Sequence, residues 1–182
     1  MNNSLSAGSG INRRQLLKFG LLGSLVLAAT GGVAGLYHGF TRITPASGFI
    51  HLRDSDLPML RRLVPVLLEG ALPADNPTAA VEATLRGLDN SLHHLSPSMR
   101  KQSLQLFDLL SLRATRGPTT GIWGSWEEAS TADIQQFLQR WENSRLALLR
   151  QGHGALSKAV LLVWYSLPES WAQCGYPGPP RF

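Results

Sequence analysis

Residues 76–97 read NPTAAVEATLRGLDNSLHHLSP, and this stretch decides the fold class. Asn76 ahead of Pro77 is a helix start. An Asn side chain accepts from the free first-turn amides, and a proline at the first helical position has no N–H to lose. Val81, Leu85, Leu88, Leu92 and Leu95 follow at steps of three and four, an apolar stripe of helical period. Glu82 and Arg86 lie off the stripe, spaced i, i+4 in the favourable order. Ser96-Pro97 then repeats the start signal.

Downstream, a second helix carries Met99, Leu106, Phe107, Leu109, Leu110 and Leu112 and is expected to stop before Gly117-Pro118. Residues 117–129 read as irregular. Ser130-Thr131-Ala132-Asp133 opens another helix in the manner of a capping box, with Ile134, Phe137, Leu138, Trp141 and Leu148 on one side. Gly152 and Gly154 are expected to break it. The apolar run from Ala155 to Ser166 suits a buried helix better than a strand, since no second strand is available to pair with it. Pro168 should end it. Upstream, Leu57, Leu60, Val64, Leu67 and Leu68 predict a helix over 55–72, capped by Asp54 or Ser55. Pro58 is tolerated in its first turn, and Pro65 should kink it. The expected fold is all-α: a small domain over 55–182 with four or five helices. It is preceded by a linker or arm (35–54) and closed by an irregular, Pro/Gly-rich tail (168–182).

Composition agrees with one domain: 182 residues, 43% hydrophobic and 16% charged. The formal charge of +5 invites a nucleic-acid reading, but position removes it. Three of the 17 Lys and Arg (Arg13, Arg14, Lys18) lie within the first 34 residues, leaving 14 against 12 Asp and Glu. These are scattered and form no basic stripe that would follow a phosphate backbone, so no nucleic-acid partner is expected. One cysteine, Cys174, excludes an internal disulfide and any cysteine-cluster metal site.

The N-terminus is the most specific segment. Arg13-Arg14, a Gln15 spacer, Leu16-Leu17 and Lys18 precede an uncharged, Gly/Ala-rich stretch from Phe19 to about Leu36. Residues 1–34 resemble a twin-arginine export signal. The glycines make a poor membrane anchor of the stretch, and the Arg pair with a weak apolar core argues against an ordinary secretory signal. Gly32-Val33-Ala34 is the best cleavage candidate; an uncleaved signal would tether the protein to the membrane.

Catalytic motifs are absent: no phosphate-binding glycine loop, no G-x-S-x-G, no H-E-x-x-H. Asp89 and His93 share a helical face at i, i+4, with His94 adjoining, but no third ligand is suggested by spacing. They read as a solvated polar face, and no metal or catalytic residue is assigned. His153 reads as a turn residue between two glycines. Glu127-Glu128 suits the approach to a helix start. The tryptophans say more. Trp141 and Trp164 fall on helical segments; Trp123, Trp126 and Trp171 fall in irregular ones, where an indole either plugs the protein's own core or anchors a partner.

The tail Trp171-Ala172-Gln173-Cys174-Gly175-Tyr176-Pro177-Gly178-Pro179-Pro180 resembles the C-terminal signature of the gluconate 2-dehydrogenase subunit 3 family. So do Phe137-Leu138-Gln139-Arg140-Trp141 and the run ending Trp164-Tyr165, although Ser166 stands where a glycine is expected. Members of that family also begin with a twin-arginine signal. The resemblance implies a non-catalytic small subunit of a periplasmic flavin-dependent dehydrogenase. It would have no cofactor of its own, with FAD on the partner, and would act as an export escort through the twin-arginine translocase. Its partner interface would centre on Trp171, Tyr176, Pro177 and the tail, with Trp123 and Trp126 as further anchors. In an oxidising compartment Cys174 is a candidate for an intermolecular disulfide with that partner. A free-standing periplasmic binding protein is the alternative.

Overall fold

The computed structural model describes residues 44–178. Seven α-helices and no strand are present among the described residues: α1 (Leu57–Leu67), α2 (Pro77–His94), α3 (Pro97–Ser111), α4 (Arg113–Thr120), α5 (Thr131–Glu142), α6 (Ala147–Ser166) and α7 (Pro168–Cys174). The all-α expectation holds. None of these helices is long and apolar enough to cross a membrane.

Three helix starts are built as the sequence indicates. Asn76 Oδ1 accepts from the Ala79 amide (3.1 Å), and Ser96 Oγ accepts from the Met99 amide (3.4 Å). Ser130 Oγ accepts from the Asp133 amide (3.1 Å) while Asp133 Oδ2 accepts from the Ser130 amide (3.1 Å), a complete capping box. The bonds from Ser130 hold the Asp133 carboxyl below its ordinary pKa.

The α2 stripe is core: Val81, Leu85, Leu88 and Leu92 are all buried. They meet Leu60, Leu63 and Val64 of α1 and Val160, Val163 and Trp164 of α6 in one apolar cluster. At Gly87 the two helices approach so closely that a methyl group would come within 2.5 Å of Val163 Cγ1. Glu82 pairs with Arg61 of α1 (Nε–Oε1 2.6 Å), so the expected Glu82–Arg86 pair gives way to a bond between helices.

The helix count exceeds four or five for two reasons. The third predicted helix is cut at Leu112, whose extended backbone (ψ 135°) ends α3 and starts α4. The chain then runs helically through Gly117-Pro118, where a stop was expected, and ends at Gly121 in a left-handed conformation (φ 75°). Arg140 of α5 donates to the Thr120 carbonyl there, placing a cation at the C-terminal end of α4. The second reason is α7: residues Pro168–Cys174 of the supposedly irregular tail form a short helix. Only Gly175 onward departs from it.

Two boundaries are displaced. The helix expected over 55–72 behind an Asp54 or Ser55 cap is α1, which starts after Asp56 with no side-chain cap and ends at Leu67, where Leu68 leaves helical geometry and Gly70 turns left-handed (φ 77°). α5 stops at Glu142, without glycine or proline, because the Asn143 side chain turns back onto the Gln139 carbonyl (3.0 Å) and Ser144 Oγ accepts from the Leu146 amide (3.1 Å). Leu148 is therefore on α6, and exposed. Gly152 and Gly154, expected as breakers, lie inside α6, as does His153.

These two glycines differ in what surrounds them. A methyl at Gly152 would come within 2.6 Å of the buried Trp141 ring, whereas a methyl at Gly154 would meet nothing within 4 Å. Gly152→Ala should therefore lower stability by about 1–3 kcal/mol through overpacking. Gly154→Ala should raise it by about 0.5–1 kcal/mol through helix propensity. Denaturant unfolding of the two variants should show shifts of opposite sign.

Candidate partner-binding face

The described part of the arm, from Thr44 on, packs with the helices. Ala46 and Leu52 are buried, and a turn at Gly48 (φ 82°) folds the segment back so that the Ala46 amide donates to the Leu52 carbonyl (2.8 Å). Asp89 of α2 holds it. Its carboxylate accepts from three consecutive amides: Ile50 to Oδ2 (2.6 Å), and His51 and Leu52 to Oδ1 (both 2.8 Å). Asp89 is 4% exposed, so the expected solvated polar face is corrected there, while His93 and His94 are exposed as expected. A carboxylate loaded with three N–H donors is not disposed to ligate a metal with His93. Among the described residues no three His, Cys, Asp or Glu side chains converge on a metal site.

Arg53 ends the arm in a buried ion cluster. Its Nε and NH2 donate in fork fashion to Asp56 (2.9 Å each), and NH1 pairs with Asp108 of α3 (2.7 Å). Asp56 also accepts from the Arg53 amide (3.0 Å). It therefore precedes α1 without capping it by its side chain. Desolvation works against the Arg53 charge, but the two carboxylates outweigh it and raise its pKa. Burial raises the Asp108 carboxyl above its ordinary value, against the pull of Arg53.

The residues expected at a partner face part company. Trp126 is core: it is 2% exposed, its Nε1 donates to the Leu110 carbonyl (2.9 Å), and it packs edge-on against Phe137 (6.2 Å between ring centroids). It offers nothing to a partner. Trp123, three residues earlier, is 75% exposed. Its indole lies against α4 at Gly117, where a methyl group would come within 2.5 Å of the ring, so the glycine keeps a seat for it. Trp171 and Tyr176 come together edge-on (5.6 Å), and the Tyr176 amide closes onto the Trp171 carbonyl (3.0 Å). Tyr176 is half-exposed and Pro177 exposed. Cys174 is the last residue of α7; its side chain lies outside the described part, as do Arg13, Arg14, Leu16, Leu17 and Lys18 of the signal.

Leu162 (73% exposed) and Tyr165 (50% exposed) of α6 are further apolar side chains left uncovered. The run from Ala155 to Ser166 is apolar nearly all round, so no polar face in the sequence marks their solvent side. Comparison with protein-family models, with curated proteins and with solved structures finds no match in any of the three.

The Arg53 cluster makes a sharp contrast testable. Asp56 is fully buried and accepts from Nε and NH2 of the guanidinium, so Asp56→Ala leaves the buried charge to Asp108 alone and should cost about 3–5 kcal/mol. The Asp108 side chain is 31% exposed and its ionised form is opposed by burial. Asp108→Asn, which keeps an acceptor for Arg53, should cost less than about 1 kcal/mol. Equal losses in denaturant unfolding would mean that the two carboxylates share the load.

Proposed function

We propose that this protein is the non-catalytic small subunit of a periplasmic flavin-dependent dehydrogenase, which it escorts out of the cytoplasm through the twin-arginine pathway. The observation that carries the reading is the pairing of the Arg13-Arg14 signal with a small helical domain that presents Trp123 to solvent. The twin-arginine route moves folded proteins, so one signal can export two chains that are already bound. An exposed Trp held on an ordered seat has little side-chain entropy left to lose on binding, and buried Trp dominates interface energies. Trp171, Tyr176 and Pro177 supply the second anchor, and the likeness of this tail to the gluconate 2-dehydrogenase subunit 3 family supports the choice of partner. In this reading FAD sits on the partner, and Cys174 forms a disulfide with a partner cysteine after export.

Signal and anchors should separate by mutation. Arg13→Lys with Arg14→Lys keeps the charge and removes the planar guanidinium fork, so the complex should form but stay in the cytoplasm. Trp123→Ala with Tyr176→Ala changes exposed side chains and should leave the fold intact. It should weaken partner binding by at least about 2 kcal/mol, roughly thirtyfold, so this chain reaches the periplasm alone. Fractionated cells assayed for flavin-dependent dehydrogenase activity give the answer. Normal periplasmic activity in both variants would defeat the escort reading and favour a free-standing binding protein.

A further inference from the structure

Three imidazoles gather where the arm crosses the C-terminal end of α2. His93 and His94 lie on the last turn of α2, and His51 comes from the arm. His51 Nε2 and His93 Nδ1 face each other at 3.4 Å, with the rings stacked at 5.6 Å and 23°. His94 stands edge-on to His93 (5.4 Å, 87°), and its Nδ1 is 2.8 Å from the Asn90 carbonyl. That contact requires the proton on Nδ1, so His94 is tied back to its own helix.

The backbone under the facing pair is held in place. The His51 amide, with those of Ile50 and Leu52, is bound by Asp89, and His93 is one helical turn beyond Asp89 on the same helix. The 3.4 Å separation is that of a long N–H···N contact between the two rings, and a chelate asks for the same spacing. A tetrahedral zinc ion about 2.0–2.1 Å from each of two imidazole nitrogens holds those nitrogens roughly 3.3–3.4 Å apart. Oxygen-seeking cations such as magnesium find no free carboxylate at the pair, since both Asp89 oxygens are taken. The charges facing the pair are Asp89, which favours a cation, and Arg100, which opposes one; partial burial, then Arg100 and His93, hold His51 toward its neutral form.

We propose that His51 Nε2 and His93 Nδ1 form a two-imidazole site for a zinc-class divalent cation, completed by water, which ties the arm to α2. His94 is a neighbour and not a ligand, in keeping with the absence of any converging three-residue group among the described residues. The proposal does not rest on the escort reading.

The test uses the untagged full chain and zinc chloride, with magnesium chloride as the control, in calorimetric titration at about pH 7.5. One zinc should bind per chain, and magnesium should give no heat. His51→Gln and His93→Gln, which keep a polar side chain of similar reach at two surface positions, should each weaken zinc binding by about tenfold or more. His94→Gln and Cys174→Ser should leave it within about twofold. Zinc should also raise the thermal midpoint of the parent chain and slow amide exchange over residues 49–52, and do neither in the double His51→Gln, His93→Gln variant. Near pH 5.5 the affinity should fall, because the imidazoles must be unprotonated to bind. The proposal is overturned if zinc fails to bind, if binding survives in the double variant, or if it disappears with Cys174→Ser alone.

Discussion

The carboxylate of Asp89 accepts hydrogen bonds from three successive amides of the arm, and the order of the N-terminal half of the domain follows from that arrangement. Three N–H groups in a row on an irregular segment would otherwise be left without helix or sheet partners, at a cost of about 1–3 kcal/mol for each one buried. Satisfying them fixes the turn at 46–52 and drops Leu52 into the core. It also delivers Arg53 to Asp56 at the threshold of α1 and to Asp108 on α3. The arm thus stitches α1, α2 and α3 together before any helix–helix contact is considered.

Behind that seam the packing is governed by where side chains are missing. Gly87 admits Val163, Gly152 admits Trp141 and Gly117 admits Trp123. Each gap lets a large neighbour come closer than any Cβ would allow. Two of the three buried indoles are also tied at their polar ends. Trp126 Nε1 reaches the Leu110 carbonyl and Trp141 Nε1 the Thr119 carbonyl (2.9 Å each), linking the carbonyl-rich ends of α3 and α4 to the aromatic stack around Phe137. Trp123 instead rests on the outside of α4 at Gly117 and stays largely exposed.

The helical class and the positions of three helix starts were legible because their signals are local. Asn76-Pro77, Ser96-Pro97 and the Ser130–Asp133 box act within one turn, and the α2 stripe repeats with the helix. What failed is what depends on distant partners. Gly152 and Gly154 look alike in sequence, and only Trp141 tells them apart. A proline in a helix costs a hydrogen bond, so a stop is expected at Pro118, yet the helix continues to Thr120, whose carbonyl accepts from Arg140. Asp89 is covered by residues 50–52, a segment with no periodic pattern to show that it packs on α2. Trp123 and Trp126 sit in the same irregular stretch, and no rule of spacing says which one turns inward. The candidate site was therefore legible as a set of residue types but not as a surface. His51, the residue that faces His93, lies in that same segment and carries no signal of its own.

A chain that leaves the cytoplasm already bound to a folded flavoprotein must be found with it before export. The direct measurement is isolation, under native conditions, of the full-length chain from the cytoplasm of cells in which translocation is blocked, followed by size exclusion with absorbance near the flavin band and mass spectrometry of the peak. The escort account predicts one co-eluting species in which this chain and a signal-less flavin dehydrogenase keep a constant ratio, and in which the flavin leaves with the partner on dissociation. This chain eluting alone, with no flavin absorbance, would contradict it.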